Sequence, residues 1–290
     1  MPATTAELVD LLRLEAAPDK VFVGRHPRTT MQRTYGGQVL AQALMAAYGT
    51  VAPDRVAHSL DAYFIRPGDA HHDIEYEVEA LRDGGAFSSR RVTAVQDGRA
   101  IFAMSSSFHV LEPGLDHGDP EPVGVPGPQD CRPFIDVAQE RYGNGALWHE
   151  WDALEVRFAG DSSDGGGIEP ANHRAHMRVW VRTTDPLPDE IGIHQAILAY
   201  LSDLTLLSVS TIPHNVAFLS QQLQIASIDH VMWFHRRPRA DQWLLYDMLS
   251  PSASNSLGLS TGRLFQDGRL IASCAQEGLI RVVKDRPALT

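Results

Sequence analysis

The chain repeats itself, and the repeat limits what it can fold into. Residues 96–104 read QDGRAIFAM and residues 266–274 read QDGRLIASC. Asp-Gly between two strand-like runs marks a tight hairpin turn, because both central positions of such a turn need positive φ. Upstream, HSLDAYFIRP begins at His58 and HVMWFHRRP begins at His230, each an aromatic-rich strand ending on Arg-Pro. The two separations are each about 170 residues and agree within two positions, so the halves share one architecture.

The order of elements around these motifs repeats as well. In the first half GGQVLAQALMAAY reads as a helix opening on Gly36-Gly37. The strands after it include HDIEYEVEAL, where Ile74, Tyr76, Val78 and Ala80 alternate with acids, the period of a strand with one buried face. In the second half HQAILAYLSDLTLLS places Ala196, Ile197, Tyr200, Leu201, Leu204 and Leu207 at helical spacing. QIASIDHVMWFH, WLLYDMLS, SLGLSTGRLFQ and RLIASCAQEGLIRVV follow as strands. One helix followed by a meander of long strands, given twice, predicts an α+β chain with two curved antiparallel sheets, each wrapping a central helix. The expected division is a first unit over 1–113, a linker rich in Pro, Gly and acids over 114–150, and a second unit over 151–290. A polar, glycine-rich loop, AGDSSDGGGIEPANH, interrupts the start of the second unit.

Composition excludes several classes of function. A formal net charge of −11 argues against nucleic-acid binding, which normally requires a basic face. No apolar run reads as the ~20 residues of a bilayer span. The opening MPATTAELVDLLRLEAAPDK resembles a short amphipathic helix, with acids interrupting any signal-peptide core. Cys131 and Cys274 lack the spacing of a disulfide framework or a zinc site. The expectation is a cytoplasmic globular protein.

Against that background Asp203 is an anomaly. Helical spacing puts it seven residues after Ala196, among apolar side chains, where an unpaired carboxylate is costly. The first-half helix contains no acid, and aligning the two hairpins puts Ser106 where the second half has Gln276. The expectation is one site per chain, between the halves, with its chemistry supplied by the second half.

YGGQVLAQAL, HSLDAYFIRPGD, YEVEALRDGGAFSSRRVTAVQDGRAIF, VWVRT, HQAILAYLSDLTLL, QIASIDHVMWFHR, WLLYDMLSPSASNSLG and GRLIASCAQEGLIR together resemble the acyl-CoA thioesterase II family, whose fold is a double hotdog. The family's catalytic residues are an Asp in the second central helix, a Thr or Ser on the following strand and a Gln on the last strand. By resemblance they fall on Asp203, Ser227 and Gln276. The implied reaction is hydrolysis of acyl-CoA to fatty acid and CoA, by a water that these three residues hold and polarise. Backbone N–H groups at Gly36 and Gly37, with Gln38 beside them, are candidate donors to the oxyanion. Arg90 and Arg91 are candidates by position for the CoA phosphates, although adjacent strand residues face opposite sides of a sheet.

The scheme requires no metal and no organic cofactor. The expected partners are the acyl-CoA substrate and further copies of the chain, as a dimer or tetramer assembled through exposed sheet edges. Three rival readings remain. A covalent route would use Cys274, on the same side of its strand as Gln276. A hotdog enoyl-CoA hydratase would pair Asp203 with a histidine, and His194 and His214 flank it in sequence. A non-catalytic acyl-CoA binder would keep the pocket without turnover.

Overall fold

The computed structural model describes residues 1–143, 145–169, 175–214, 216 and 222–283, and of 142, 145 and 146 only the backbone. Part of the glycine-rich loop, 170–174, therefore lies outside the described residues. The first half runs α1 (Thr5–Leu12), β1 (Glu15–Ala17), β2 (Val21–Gly24), α2 (Gly36–Tyr48), β3 (Arg55–Phe64), β4 (Ile74–Asp83), β5 (Phe87–Gln96) and β6 (Arg99–Val110). The second runs β7 (Arg132–Pro133), α3 (Phe134–Tyr142), β8 (Leu154–Asp161), β9 (Ala175–Thr183), α4 (Ile191–Ser202), β10 (Leu223–Ser227), β11 (Asp229–Phe234), β12 (Leu244–Ser254), β13 (Leu257–Gln266) and β14 (Arg269–Val282).

The strands join into one sheet in the order β1-β2-β4-β5-β6-β3-β11-β14-β13-β12-β9-β8-β7, with β10 also on β14. Leaving β7 aside, this order is a palindrome about the antiparallel β3–β11 seam. The sequence repeat is thus a pseudo-twofold of the structure, and the α+β expectation holds, with the two curved half-sheets joined edge to edge.

Register fixes which residues correspond. Ala62 faces Met104 and Met232 faces Cys274, so equivalent positions lie about 170 residues apart. A ladder shift at His58 in β3 matches the break at Ile228 that separates β10 from β11. His58 and His230 are therefore not equivalents, contrary to the motif alignment: Ile228 answers to His58, and His230 to Leu60. The hairpin turns agree with expectation, with positive φ at both Asp97-Gly98 and Asp267-Gly268. In β4 the predicted alternation holds for Ile74, Tyr76 and Val78, but Ala80 is exposed where the pairing with β5 shifts register.

Helices α2 and α4 lie antiparallel in the hollow of the sheet and are buried almost all round. That shelter explains why both are apolar on every face. At one end Gly37 lies so close to α4 that a Cβ there would sit 2.3 Å from the Tyr200 carbonyl oxygen. The Tyr35 hydroxyl donates to that same oxygen at 2.7 Å. At the other end Gly192 of α4 meets the Tyr48 ring of α2. Helix α4 stops earlier than its apolar spacing predicts: it ends at Ser202, and Asp203 is the capping residue, with φ −83° and ψ −8°. Leu204 lies in the turn beyond, and Leu207 opens a separate 3-10 helix, Leu207–His214. The stretch Ile191–His214 is long and apolar enough by composition to cross a membrane, yet most of it is buried inside the protein. Only Asp203 marks the break within it, which is why the sequence reads as one helix.

Close packing at Gly37 leaves no room for a side chain. Gly37→Ala is expected to lower stability by about 1–3 kcal/mol, the cost of overpacking a core, read as a lower midpoint of urea denaturation.

Candidate active site

Antiparallel packing brings the N-terminus of α2 to the C-terminus of α4, and the groups gathered there come from four elements. Asp203 caps α4, Ser227 closes β10 just before the Ile228 break, and Gln276 sits on the inner face of β14. Gln276 Nε2 donates to Asp203 Oδ1, and Ser227 Oγ donates to the same oxygen at 3.3 Å. Gln276 Nε2 also donates to Ser227 Oγ at 3.0 Å. The fourth element is α2, whose Gly37 N–H donates to the Asp203 carboxylate. The three residues expected to act together are thus one hydrogen-bonded cluster.

Burial raises the Asp203 pKa, and the donors from Gln276, Gly37 and Ser227 pull it back; burial wins, and the group is pushed up to about 6. The residue as a whole is half-buried. Its other oxygen lies against Gly36, where a Cβ would be 2.7 Å from Oδ2. Beside the cluster opens a mostly apolar cavity of about 360 Å³, with Gly36, Phe64 and Ser227 in its wall and Arg33 and Arg66 among its lining residues. A carboxylate with raised basicity, held by three donors beside an apolar cavity, is equipped to take a proton from water.

The remaining expected residues fall elsewhere or act differently. Gly37 N–H is engaged by the carboxylate, which leaves Gly36 as the nearer free donor of the pair. Gln38 is buried and its amide donates to Gln42 at 3.4 Å, inside the first-half core. Arg90 is 2% exposed. Its guanidinium donates to Thr50 Oγ1 and to the Thr50, Arg82 and Ser89 carbonyls, and pairs with Asp83 at 2.7 Å. Thr50 follows the C-terminus of α2, so Arg90 sits roughly 20 Å along the helix from Gly37. Arg91, on the opposite face, is exposed and pairs with Glu79 at 3.3 Å. Strand alternation separated the two arginines as anticipated, but neither side chain lines the cavity.

The rivals gain no support. Cys274 is buried with its sulfur 3.2 Å from the Tyr246 hydroxyl, and burial pushes its thiol up to about 12. That thiol is protonated at neutral pH and is a poor nucleophile. His194 accepts the Ala240 N–H at 3.0 Å, nine residues before Asp203 and about 13 Å away along α4. Among the described residues no histidine hydrogen-bonds Asp203. Arg33 and Arg66 went unnoticed in the sequence; Arg66 belongs to the repeated Arg-Pro element, which could have drawn attention to it.

Comparison with known proteins agrees with this geometry. The family model described as acyl-CoA thioesterase matches residues 168–279, and that of the acyl-CoA thioesterase N-terminal domain matches 25–109. The chain is 36% identical to acyl-CoA thioesterase 2 of Haemophilus influenzae over 94% of its own length and 96% of the relative's. Among solved structures it is similar to an acyl-CoA thioesterase II from Mycobacterium marinum, with a TM-score of 0.82 and 38% identity over 95% of this chain and 98% of that one. A hot dog protein of unknown function from Alicyclobacillus acidocaldarius, 21% identical with a TM-score of 0.77 over 96% and 99% of the two chains, shares the fold.

Because Arg90 bonds five groups at the far end of α2, Arg90→Ala is expected to cost about 2 kcal/mol or more of stability, leaving carbonyls unsatisfied. Its KM should stay within about twofold of the native value if the side chain carries no catalytic load. Thermal unfolding and steady-state kinetics on the same preparation test both.

Proposed function

The chain belongs to the acyl-CoA thioesterase family and is a thioester hydrolase, and on that premise we propose that it hydrolyses acyl-CoA to a free fatty acid and CoA through a water activated by Asp203 with Ser227 and Gln276. The observation that carries the proposal is the hydrogen-bonded cluster of these three side chains beside an apolar cavity.

Asp203 Oδ1 is occupied by Ser227 and Gln276, so Oδ2, next to Gly36, is the oxygen available to a water. Gln276 Oε1 is buried and unpartnered, an acceptor left over within the cluster. As the water oxygen bonds to the thioester carbonyl carbon, Asp203 takes its proton. The carbonyl π electrons move onto oxygen, and that oxyanion faces the Gly36 N–H at the positive end of α2. Collapse of the tetrahedral intermediate breaks the C–S bond. The proton held by Asp203 passes to the departing sulfur, which leaves as the CoA thiol, and the carboxylate is restored. A complete donor set around a basic carboxylate supports turnover over mere retention of acyl-CoA.

Asp203→Asn keeps the shape of the side chain and removes the base. It is expected to lower kcat about 100-fold or more, the scale of a lost general base, while circular dichroism stays native. Undiminished release of free thiol would refute the role. The pH profile tests the same residue separately. Because the carboxylate acts ionised and titrates near 6, kcat/KM should fall about tenfold per pH unit below that point. A kcat/KM profile that stays flat through that range and down to the ordinary carboxylate value would remove Asp203 from the role of base.

A further inference from the structure

The two ends of the α2–α4 pair are related by the pseudo-twofold, yet their arginines are treated differently. In the first half Arg66 Nη1 donates to the Ala100 carbonyl at 2.6 Å, and in the second Arg236 Nη1 donates to the equivalent Leu270 carbonyl at 2.6 Å. The rest of the Arg236 fork is neutralised by the linker, where Asp116 and the His117 carbonyl accept from Nη2. Arg66 has no such acid. Arg33 stands three residues before α2 opens at Gly36; Asp189 stands two residues before α4 opens at Ile191 and pairs with Arg237 at 2.8 Å. Asp69 bridges the Arg33 backbone, but its carboxylate accepts the His71 N–H at 2.9 Å. Arg33 and Arg66 are both exposed, both line the cavity that reaches Ser227, and neither forms an ion pair among the described residues.

In a chain of net charge −11 most arginines are balanced by acids. Arg33 and Arg66 are among the described arginines without an ion pair, and both line the cavity at the end of the helix pair that carries Asp203. We propose that Arg33 and Arg66 form a phosphate-binding rim that holds the phosphate groups of CoA while the thioester lies against Asp203 and Ser227. The assignment rests on the thioesterase reading and names the part of the substrate that reading leaves unplaced. Arginine suits it, since the planar fork bonds phosphate oxygens in pairs and stays charged at every working pH.

The decisive comparison is between an acyl-CoA and the matching S-acylpantetheine, which has the same thioester and arm but no phosphate. The native preference for acyl-CoA in kcat/KM is expected to fall about tenfold in Arg33→Ala and in Arg66→Ala, mostly through KM, and further in the double variant. A purely structural role would slow both substrates alike, and a preserved preference overturns the proposal. Calorimetric titration of free CoA into Asp203→Asn protein, with and without the arginine substitutions, reads the rim without turnover. Weaker CoA binding in the arginine variants supports the rim even if the hydrolytic scheme fails, and equal binding overturns it. Native protein that cleaves neither thioester while the rim still binds CoA would overturn the thioesterase reading alone.

Discussion

The contact between α2 and α4 at Gly37 is what everything at the site depends on. A helix N-terminus carries N–H groups with no partner inside the helix, and the partial positive charge of its dipole. A capping carboxylate at the end of another helix would ordinarily be misplaced, beside carbonyls of the same sign. Running the helices antiparallel at close range solves both problems. It brings the N–H of Gly37 to Asp203, and only glycine permits the approach to the Tyr200 carbonyl. Tyr35, donating to that carbonyl, locks the same junction.

The pseudo-twofold makes the other end of the helix pair a built-in comparison. There Tyr48 stands against Gly192 as Asp203 stands against Gly36. The Tyr48 hydroxyl receives the N–H of Ala57, the counterpart of Ser227, and donates to Gln195. Ser106 occupies the place of Gln276 with its hydroxyl unpartnered. Tyr48 spans the gap that the carboxylate, hydroxyl and amide fill at the first end, and burial raises its pKa well above that of an ordinary phenol. One architecture therefore holds a titrating cluster at one end and a rigid, neutral strut at the other. Divergence of a few side chains was enough, because the sheet and helices supply the positions.

Much of this was legible in the sequence, and the failures have physical causes. The Asp-Gly turns were readable because positive φ at two adjacent positions restricts the residues that fit. Asp203 was readable as a lone acid in an apolar run. Its position as a helix cap was not, since Leu204 and Leu207 continue the helical spacing past the true end at Ser202. Arg90 looked like a ligand because charge is conspicuous in a strand, but whether a guanidinium faces carbonyls or solvent depends on what packs above it. Arg33 and Arg66 show the converse. Arg66 and Arg236 make the same local bond to a strand carbonyl, and the difference lies in a linker acid from a segment distant in sequence.

The chemistry and the stability of the fold pull against each other at Asp203. Ordinary aspartate loses its proton near 3.8, whereas here the proton is held until about 6. The folded state thus binds the proton more tightly than the unfolded chain, so this group favours folding most below 3.8 and loses that advantage as pH rises through 6. At neutral pH the fold carries an ionised carboxylate that burial disfavours, relieved in part by Gln276, Gly37 and Ser227. Fewer donors would leave it protonated and inert as a base. More donors, or open solvent, would return it to the basicity of a surface aspartate, too weak to draw a proton from water efficiently. In the proposed mechanism the number of donors lies between those limits, and the helix junction and the sheet hold them in place.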